Sequence, residues 1–387
     1  MAISPDSLLR VAALVLAGAA LGYLGAALGL LWAWRPATRV TSVRAPVSVL
    51  KPLCGAEPEL YENLRSFCDQ DYPAFEVVFG VRDATDPALR VARRLAAEFP
   101  ERSVHIVVDP RVAGPNHKAS NLANMVAAAR HDWLVVADSD IRVGRDYLSR
   151  LMGPLMDPGV GLVTCLYRAR AAGTLWGALG SQLVNEWFLP SVLVARALGS
   201  SAYVSGATIA LRRAVLDAIG GFAALTPHLA DDYELGRRTR ARGLRTVVSD
   251  VLVETLVAEA SGRALVRHEL RWLRTIRGVT PWGYAGAGVT FTLAICLLAA
   301  PLVGAGAWAL ALPAVALALR LLLHFTAQRR LAVPGAALKT APLVPLRELL
   351  GFAEWVVGFF IRRVRWRQLD LAVQPGGRVR TVMESSR

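Results

Sequence analysis

Lysine, cysteine and nucleotide-binding loops are what this chain lacks. Of its 44 basic residues only Lys51, Lys118 and Lys339 are lysine. Cys54, Cys68, Cys165 and Cys296 are dispersed, with no C-x-x-C and no Cys/His cluster. That spacing suggests neither a disulfide framework nor a zinc site and fits reduced thiols in a cytoplasmic domain. No G-x-G-x-x-G follows a strand in the region 46–260 and no Walker A sequence occurs there, which argues against a dinucleotide enzyme or a P-loop NTPase. Internal repeats and long low-complexity tracts are absent too. The net charge of +14 comes without a nucleic-acid motif, so no nucleic-acid partner is expected. Its arginines flank apolar blocks instead: Arg35, Arg39 and Arg44, then Arg329 and Arg330, then "RRVRWR" at 362–367. Attraction to anionic headgroups explains them, and the positive-inside rule puts all three clusters on the cytoplasmic face of a membrane.

The 387 residues have a mean hydropathy of +0.39, too apolar for an ordinary soluble protein. After a short segment 1–10, residues 11–34 carry no charge and exceed the roughly 20 residues a crossing needs. A cleaved signal has a shorter apolar region and a small-residue cleavage site. This run ends in Trp32, Trp34 and Arg35, so a retained signal anchor is predicted. A second block, 283–327, breaks near Pro301 and Gly304 into two predicted spans. The segment 341–361 carries Arg347, Glu348 and Glu354, and ionisable groups in hydrocarbon cost several kcal/mol on most scales. Arg347, Gly351, Glu354 and Gly358 share one helical face, which predicts an interfacial or re-entrant helix, with a fourth span as the alternative. Three crossings leave the basic tail 362–387 cytoplasmic. In the first span Gly18, Gly22, Gly25 and Gly29 also share a face, predicted to pack on the later spans, although glycine is common in membrane helices generally.

Between 46 and 260, short β-rich runs ("VSVL", "FEVVFGV", "SVHIVV", "WLVVA", "VGLVTCL") alternate with helical stretches. This predicts an α/β domain, a mostly parallel sheet with helices on both faces, whose ligands gather at the strands' carboxyl ends. The acids follow that rule. Asp83 comes just after "FEVVFGV", and Asp138 and Asp140 just after "WLVVA". Two carboxylates two residues apart suit a divalent cation, because Mg2+ and Mn2+ prefer a few carboxylates plus phosphate oxygens and water. A solvated turn is the competing reading of any D-x-D. Asp231, Asp232 and Glu234 open a helix, where acids also serve as caps. In the region 261–282, Arg267, Arg271 and Arg274 recur at helical spacing beside Trp272. They could grip phosphate, but composition favours interfacial residues with Trp272 in an aromatic belt.

Taken in order, "VRDATDPA", "ADSDI", "LADDYELG" and "HELRW" resemble the D, D, D, (Q/R)xxRW pattern of the membrane-bound inverting glycosyltransferases of the GT-A fold, in the ceramide glucosyltransferase-like group. The resemblance covers almost the whole chain and is greatest to the bacterial glycosyltransferases of hopanoid biosynthesis. It departs from the ceramide enzymes at His268, where they carry Gln or Arg, and at Asp140, where they carry Gly. The resemblance implies transfer of N-acetylglucosamine from UDP-GlcNAc to bacteriohopanetetrol by a multi-pass protein of the cytoplasmic membrane, its catalytic domain facing the cytoplasm. The alternative acceptors are ceramide, taking glucose, and diacylglycerol.

On that basis Asp232 is the expected general base and Asp140, supported by Asp138, the ligand of Mg2+ or Mn2+. Asp83 is expected at the uracil ring, Lys51, Pro52 and Leu53 along the nucleotide pocket, and Asp138 at the ribose and sugar. Lys118 is either a donor contact or a surface lysine. Arg271 and Trp272 are expected at the diphosphate and acceptor entrance, while His268 and Asp231 take uncertain parts in the acceptor site. Rival readings are a processive polysaccharide synthase, which needs more membrane helices for a channel, and a non-catalytic lipid-binding scaffold. The retained carboxylates weigh against the scaffold.

Overall fold

The computed structural model describes residues 4–36, 44–304, 306–333, 337–361, 363–366 and 369–381. Arg39 and parts of the basic stretch 362–387 therefore lie outside the described residues. The chain forms two compact units. One comprises residues 1–35, 168–199 and 257–368; the other comprises 36–167, 200–256 and 369–387. Residues 168–199, inside the range 46–260 expected as one domain, thus cluster with the helical unit, and the carboxyl-terminal tail clusters with the sheet.

The second unit is built on an eight-stranded sheet: β1 (Val47–Pro52), β2 (Phe75–Val81), β3 (Ser103–Val108), β4 (Trp133–Val136), β5 (Ile141–Arg142), β6 (Val160–Ala171), β7 (Ile209–Arg212) and β8 (Arg245–Val257). Their order is β3-β2-β1-β4-β7-β6-β8-β5. The pairs β3–β2, β2–β1 and β1–β4 are parallel, whereas β4–β7, β7–β6 and β8–β5 are antiparallel. The sheet is therefore mixed, with the expected parallel character confined to β1–β4, which are joined in succession through helices.

Successive strand residues point to opposite faces, so one strand feeds two cores. Val47 and Val49 of β1, with Val77 and Phe79 of β2, meet Leu64, Phe67, Leu89 and Leu95 from the helices Leu60–Cys68 and Ala88–Glu98. Leu50 and Val78 meet Leu122, Met125 and Leu235 on the other face, from the helices His117–Met125 and Asp231–Ala241. Being covered on both sides, β1 and β2 are buried throughout and are mostly apolar, with Ser48, Lys51 and Glu76 buried among the apolar residues.

The first unit is helical. Pro5–Ala33 and Ala309–Arg330 are long and apolar enough to cross a membrane, and the bent pair Pro281–Thr290 and Thr292–Val303, with a 72° break, makes a third if it is one span. In the helix Val344–Gly358 the residues Arg347, Gly351, Glu354 and Gly358 are all buried, together with Glu348. Burial is made tolerable by pairing. Arg347 reaches Glu269 at 2.9 Å and Glu354 at 2.8 Å, Arg320 reaches Glu348 at 2.8 Å, and His324 reaches Glu186 at 2.7 Å. Removing one partner of such a pair would strand a buried charge, at a cost of about 3–5 kcal/mol.

The glycine face of the first span is a correction. Nothing lies within 4 Å of where a Cβ would stand at Gly18, Gly22, Gly25 or Gly29. The helix packs instead through Ala13, Ala17 and Ala20, against Leu293, Ile295, Cys296, Ala299 and Ala316, with Leu24, Ala27 and Leu31 continuing the buried stripe. Both stripes repeat at spacings of three and four, but the alanine stripe adds Leu24 and Leu31 and so offers more apolar area for packing. Ala17→Leu and Ala20→Leu are each expected to overpack the contact and cost about 1–3 kcal/mol. Gly22→Leu with Gly25→Leu should leave thermal stability in detergent unchanged.

Candidate active site

The turn Asp138–Asp140 leaves the carboxyl end of β4 next to the end of β1, since Leu50 pairs with Val136 and the Ala137 amide donates to the Leu50 carbonyl. Lys51, one residue further along β1, is fully buried over the Phe67 ring and donates from Nζ to the Asp138 carbonyl oxygen. Pro52 and Leu53 are buried as well, so all three side chains of "KPL" lie inside the wall rather than along an open surface. The turn is tied down on its other side by Ser139, whose hydroxyl donates to Glu57 at 2.5 Å, and by Thr255 of β8, which donates to Asp140 Oδ2 at 2.7 Å.

The second group of acids reaches the same place through Asn116, the N-cap of the helix His117–Met125. This fully buried side chain accepts from the Ala119 amide and donates to the His228 carbonyl and, at 3.2 Å, to Asp231 Oδ1. From the second position of the helix, Lys118 Nζ stands 2.5 Å from Asp138 Oδ1 and 3.7 Å from Asp231 Oδ2. Asp232 accepts from the Gly206 amide at 2.9 Å and from its neighbour's amide, Tyr233, at 2.7 Å. Gly206 has no room for a side chain: a Cβ would stand 2.8 Å from Lys118 Nζ and 2.9 Å from Asp138 Oδ2. Six expected residues, Lys51, Lys118, Asp138, Asp140, Asp231 and Asp232, are thus brought together within one unit.

Crowding like charges away from water shifts their protonation. Burial, then Asp231, pushes the Asp232 carboxyl up to about 6 against the pull of Lys118 and the two amides. Burial and the neighbouring Asp138 raise Asp140, with the Thr255 hydroxyl opposing. Burial lowers Lys51 to about 7 despite Asp140 and Asp138. Lys118 moves the other way, because Asp138, Asp231 and Asp232 outweigh the effect of its burial and hold its proton firmly. Glu234 is pulled down to about 2, since Arg237 and Arg238 more than offset its burial. Both bind it at 2.7 Å, which makes it a structural acid.

Asp138 and Asp140 fit a hard divalent cation in their chemistry, an all-carboxylate pair on a rigid turn. Among the described residues no group of three or more His, Cys, Asp or Glu side chains converges on a metal position. A cation held here would need phosphate oxygens and water to complete its shell, as Mg2+ and Mn2+ commonly do. Asp83 is exposed at the end of β2 and caps its own turn, accepting from the Thr85 amide at 2.8 Å and hydroxyl at 2.7 Å, with that amide chiefly responsible for lowering its pKa.

Asn116, Gly206, Thr255 and Glu57 were not marked by the sequence. Only Asn116, just before a helix, carried a signal, as an N-cap. In the helical unit, the amphipathic helix Gly262–Val279 carries "HELRW". His268 pairs with Glu259 at 2.7 Å and packs edge-on against Trp272, with ring centres 4.5 Å apart.

Lys51 gives this site a pH signature. The fold releases its proton near pH 7 and the unfolded chain near 10.5, so between those values the unfolded state binds more protons and stability rises with pH. Lys51→Met is expected to flatten that rise, measured as the difference in thermal unfolding between pH 7 and pH 9.

Comparison with known proteins shows the family and the fold. The sequence profile of Glycosyl transferase family 21 matches residues 14–379. Ceramide glucosyltransferase 1 of Caenorhabditis elegans is 27% identical over 204 residues, covering 52% of this chain and 44% of that protein. The ceramide glucosyltransferase of Komagataella phaffii is 35% identical over 113 residues, 28% of this chain and 22% of that protein. The chain thus matches less than half the length of these two relatives. Among solved structures, a mannosyltransferase from Pyrobaculum calidifontis, in complex with GDP-Man and Mn2+, superposes with a TM-score of 0.52 at 22% identity, covering 91% of this chain and 98% of that one. The likeness to that structure is one of fold, GT-A-like with a mixed sheet. With the family match spanning nearly the whole length, the chain belongs to glycosyl transferase family 21.

Proposed function

We propose that the protein transfers a sugar from a UDP-sugar to a hydroxyl of a membrane lipid, with inversion at the anomeric carbon. The observation that carries this is the gathering of Asp138, Asp231 and Asp232 about Lys118, with Asp140 on the same turn as Asp138 after the carboxyl end of β4, in a chain that also carries membrane-length helices. The curated relatives are ceramide glucosyltransferases, which favours glucose transfer to a ceramide-like acceptor over N-acetylglucosamine transfer to a hopanoid. UDP-sugars are cytosolic, so the sheet unit would face the cytoplasm.

In this reading Asp232 takes the proton of the acceptor hydroxyl as that oxygen attacks the anomeric carbon. The bond from that carbon to the β-phosphate oxygen breaks and its electron pair leaves with UDP. A carboxyl raised to about 6 is mostly ionised at pH 7 yet basic enough to receive the proton. The two amides on Asp232 fix its direction. Lys118 would meet the donor's negative charge from the centre of the cluster, and Lys51 would hold the Asp138–Asp140 turn from beneath. A divalent cation at Asp140, supported by Asp138, would stabilise the departing diphosphate as a Lewis acid. Uracil recognition by Asp83, diphosphate contact by Arg271 and Trp272, and acceptor contact by His268 rest on motif resemblance.

Asp232→Asn is expected to lower kcat by about 10²–10⁴ while leaving UDP-sugar affinity nearly unchanged. Wild-type kcat/KM should fall about tenfold per unit as pH drops below about 6. Full activity of Asp232→Asn would place the base elsewhere. Chelation of divalent cations, or Asp140→Ala, is expected to eliminate turnover, and a chelator-resistant enzyme would remove the cation from the reading. Mass spectrometry of lipids from cells with and without the protein separates glucosylceramide, glycosylated hopanoid and glycosyl-diacylglycerol. Purified protein that turns over no UDP-sugar on any of these lipids would favour a lipid-binding scaffold.

A further inference from the structure

The segment that delivers Asp231 and Asp232 has a second support, supplied by the far end of the chain. Residues 227–229 lead into the helix Asp231–Ala241, with His228 in an isolated β-bridge. On one edge, Asn116 donates from its side-chain amide to the His228 carbonyl at 2.8 Å and from its backbone amide to the Thr226 carbonyl at 2.9 Å. On the opposite edge lies the tail. The Leu229 amide donates to the Gly377 carbonyl at 3.0 Å and the Val379 amide to the Pro227 carbonyl at 2.8 Å, which sets His228 and Arg378 opposite each other as an antiparallel bridge. The His228 side chain also bonds the Gly376 backbone.

The tail is shaped for this contact. Leu369–Val373 and Val379–Thr381 form an antiparallel hairpin, closed by the Gln374 amide on the Arg378 carbonyl at 2.8 Å. Its turn needs two successive left-handed residues, met by Gly376 at φ 78° and Gly377 at φ 74°. Val373, Val379 and Leu229 are buried, at 7%, 4% and 6% exposure, so the contact excludes water.

We infer that the carboxyl-terminal hairpin is a positioning element for the catalytic acids, a strap that fixes the 227–229 segment and through it the direction of Asp232. The strap ends two residues before Asp231, and among the described residues the Gly206 amide is the distant hydrogen-bond donor that holds the Asp232 carboxylate itself. Displacement of a reacting group by about 1 Å costs as much as 10²-fold in rate, so a loosened segment lowers kcat more than donor binding. A topological corollary comes with it. The tail pairs with the sheet unit, so both lie on one side of the membrane and the chain between residues 256 and 369 crosses it an even number of times. With the helix Val344–Gly358 not crossing, either both the bent pair and Ala309–Arg330 cross or neither does.

The inference rests on the reading of Asp232 as base, and its test separates the two. In the full-length protein, His228→Cys with Arg378→Cys places two thiols across a non-hydrogen-bonded antiparallel pair, where Cα atoms stand about 4.5 Å apart, within disulfide range. Oxidation is expected to form that bond in the folded protein, read by peptide mass spectrometry without any activity assay, and the oxidised form should have at least the kcat of the reduced form. A chain ending at Val373 is expected to lose about 10–10²-fold in kcat with donor KM changed less than threefold. Gly376→Val with Gly377→Val should fall between that truncation and the wild type. Failure of the disulfide to form overturns the docking. Wild-type kcat in the truncated chain, or a drop in kcat on oxidation, overturns the positioning role. For the corollary, an impermeant thiol reagent should label the exposed Cys54 and an introduced Arg380→Cys from the same side of sealed vesicles. Labelling from opposite sides refutes it.

Discussion

Four carboxylates in one small volume are the constraint on which this molecule turns. Asp138, Asp140, Asp231 and Asp232 repel one another, and removing them from water makes their charges costlier still. The fold meets that cost with Lys118 in the centre, amides on both oxygens of Asp232 and the Thr255 hydroxyl on Asp140. What compensation remains incomplete appears as the raised Asp232 and Asp140. The chemistry proposed for the site uses that deficit, since a base near neutrality and a turn in need of positive charge are what inverting transfer from a diphosphate requires.

The anchoring of these acids follows from their strength of repulsion. None sits on an unsupported loop. The Asp138 turn is held by Lys51 beneath it and Ser139 beside it, while the Asp231 helix is held by Asn116 on one edge and the carboxyl-terminal hairpin on the other. Gly206 lets two of these parts approach, because any Cβ there would press on both Lys118 and Asp138.

The helical unit faces the same problem in a different solvent. Arg320, Arg347, Glu348 and Glu354 are buried, yet each has an opposite charge at hydrogen-bond distance, and buried Glu186 has the His324 ring. Such pairs stabilise little relative to an apolar core, but they penalise any register that separates them, which suits helices whose remaining surface is almost uniformly apolar. Here sequence reading identified the face of the helix Val344–Gly358 from its spacing. It could not name Glu269 as a partner 78 residues away.

Local pattern determined a good deal. The uncharged run 11–34, the alternation of strands and helices, the acids at strand ends and the order of the four motifs are all properties of short windows, where periodicity and composition act directly, and they sufficed for the fold class and for naming acids that the fold then gathers. Tertiary structure decided the rest. Whether the alanine or the glycine stripe of the first span packs depends on what stands opposite, and spacing is the same for both. Lys118 reads as a surface lysine or a donor contact until Asp138 and Asp231 arrive from other elements to hold its charge. Asn116, Gly206 and Thr255 act through contacts across 115, 26 and 115 residues, and the hairpin at Gly376 and Gly377 acts on residues about 150 positions earlier. A sequence specifies such contacts only through the whole packed core, because the free energy that selects them is shared among all the residues that bring the two segments together.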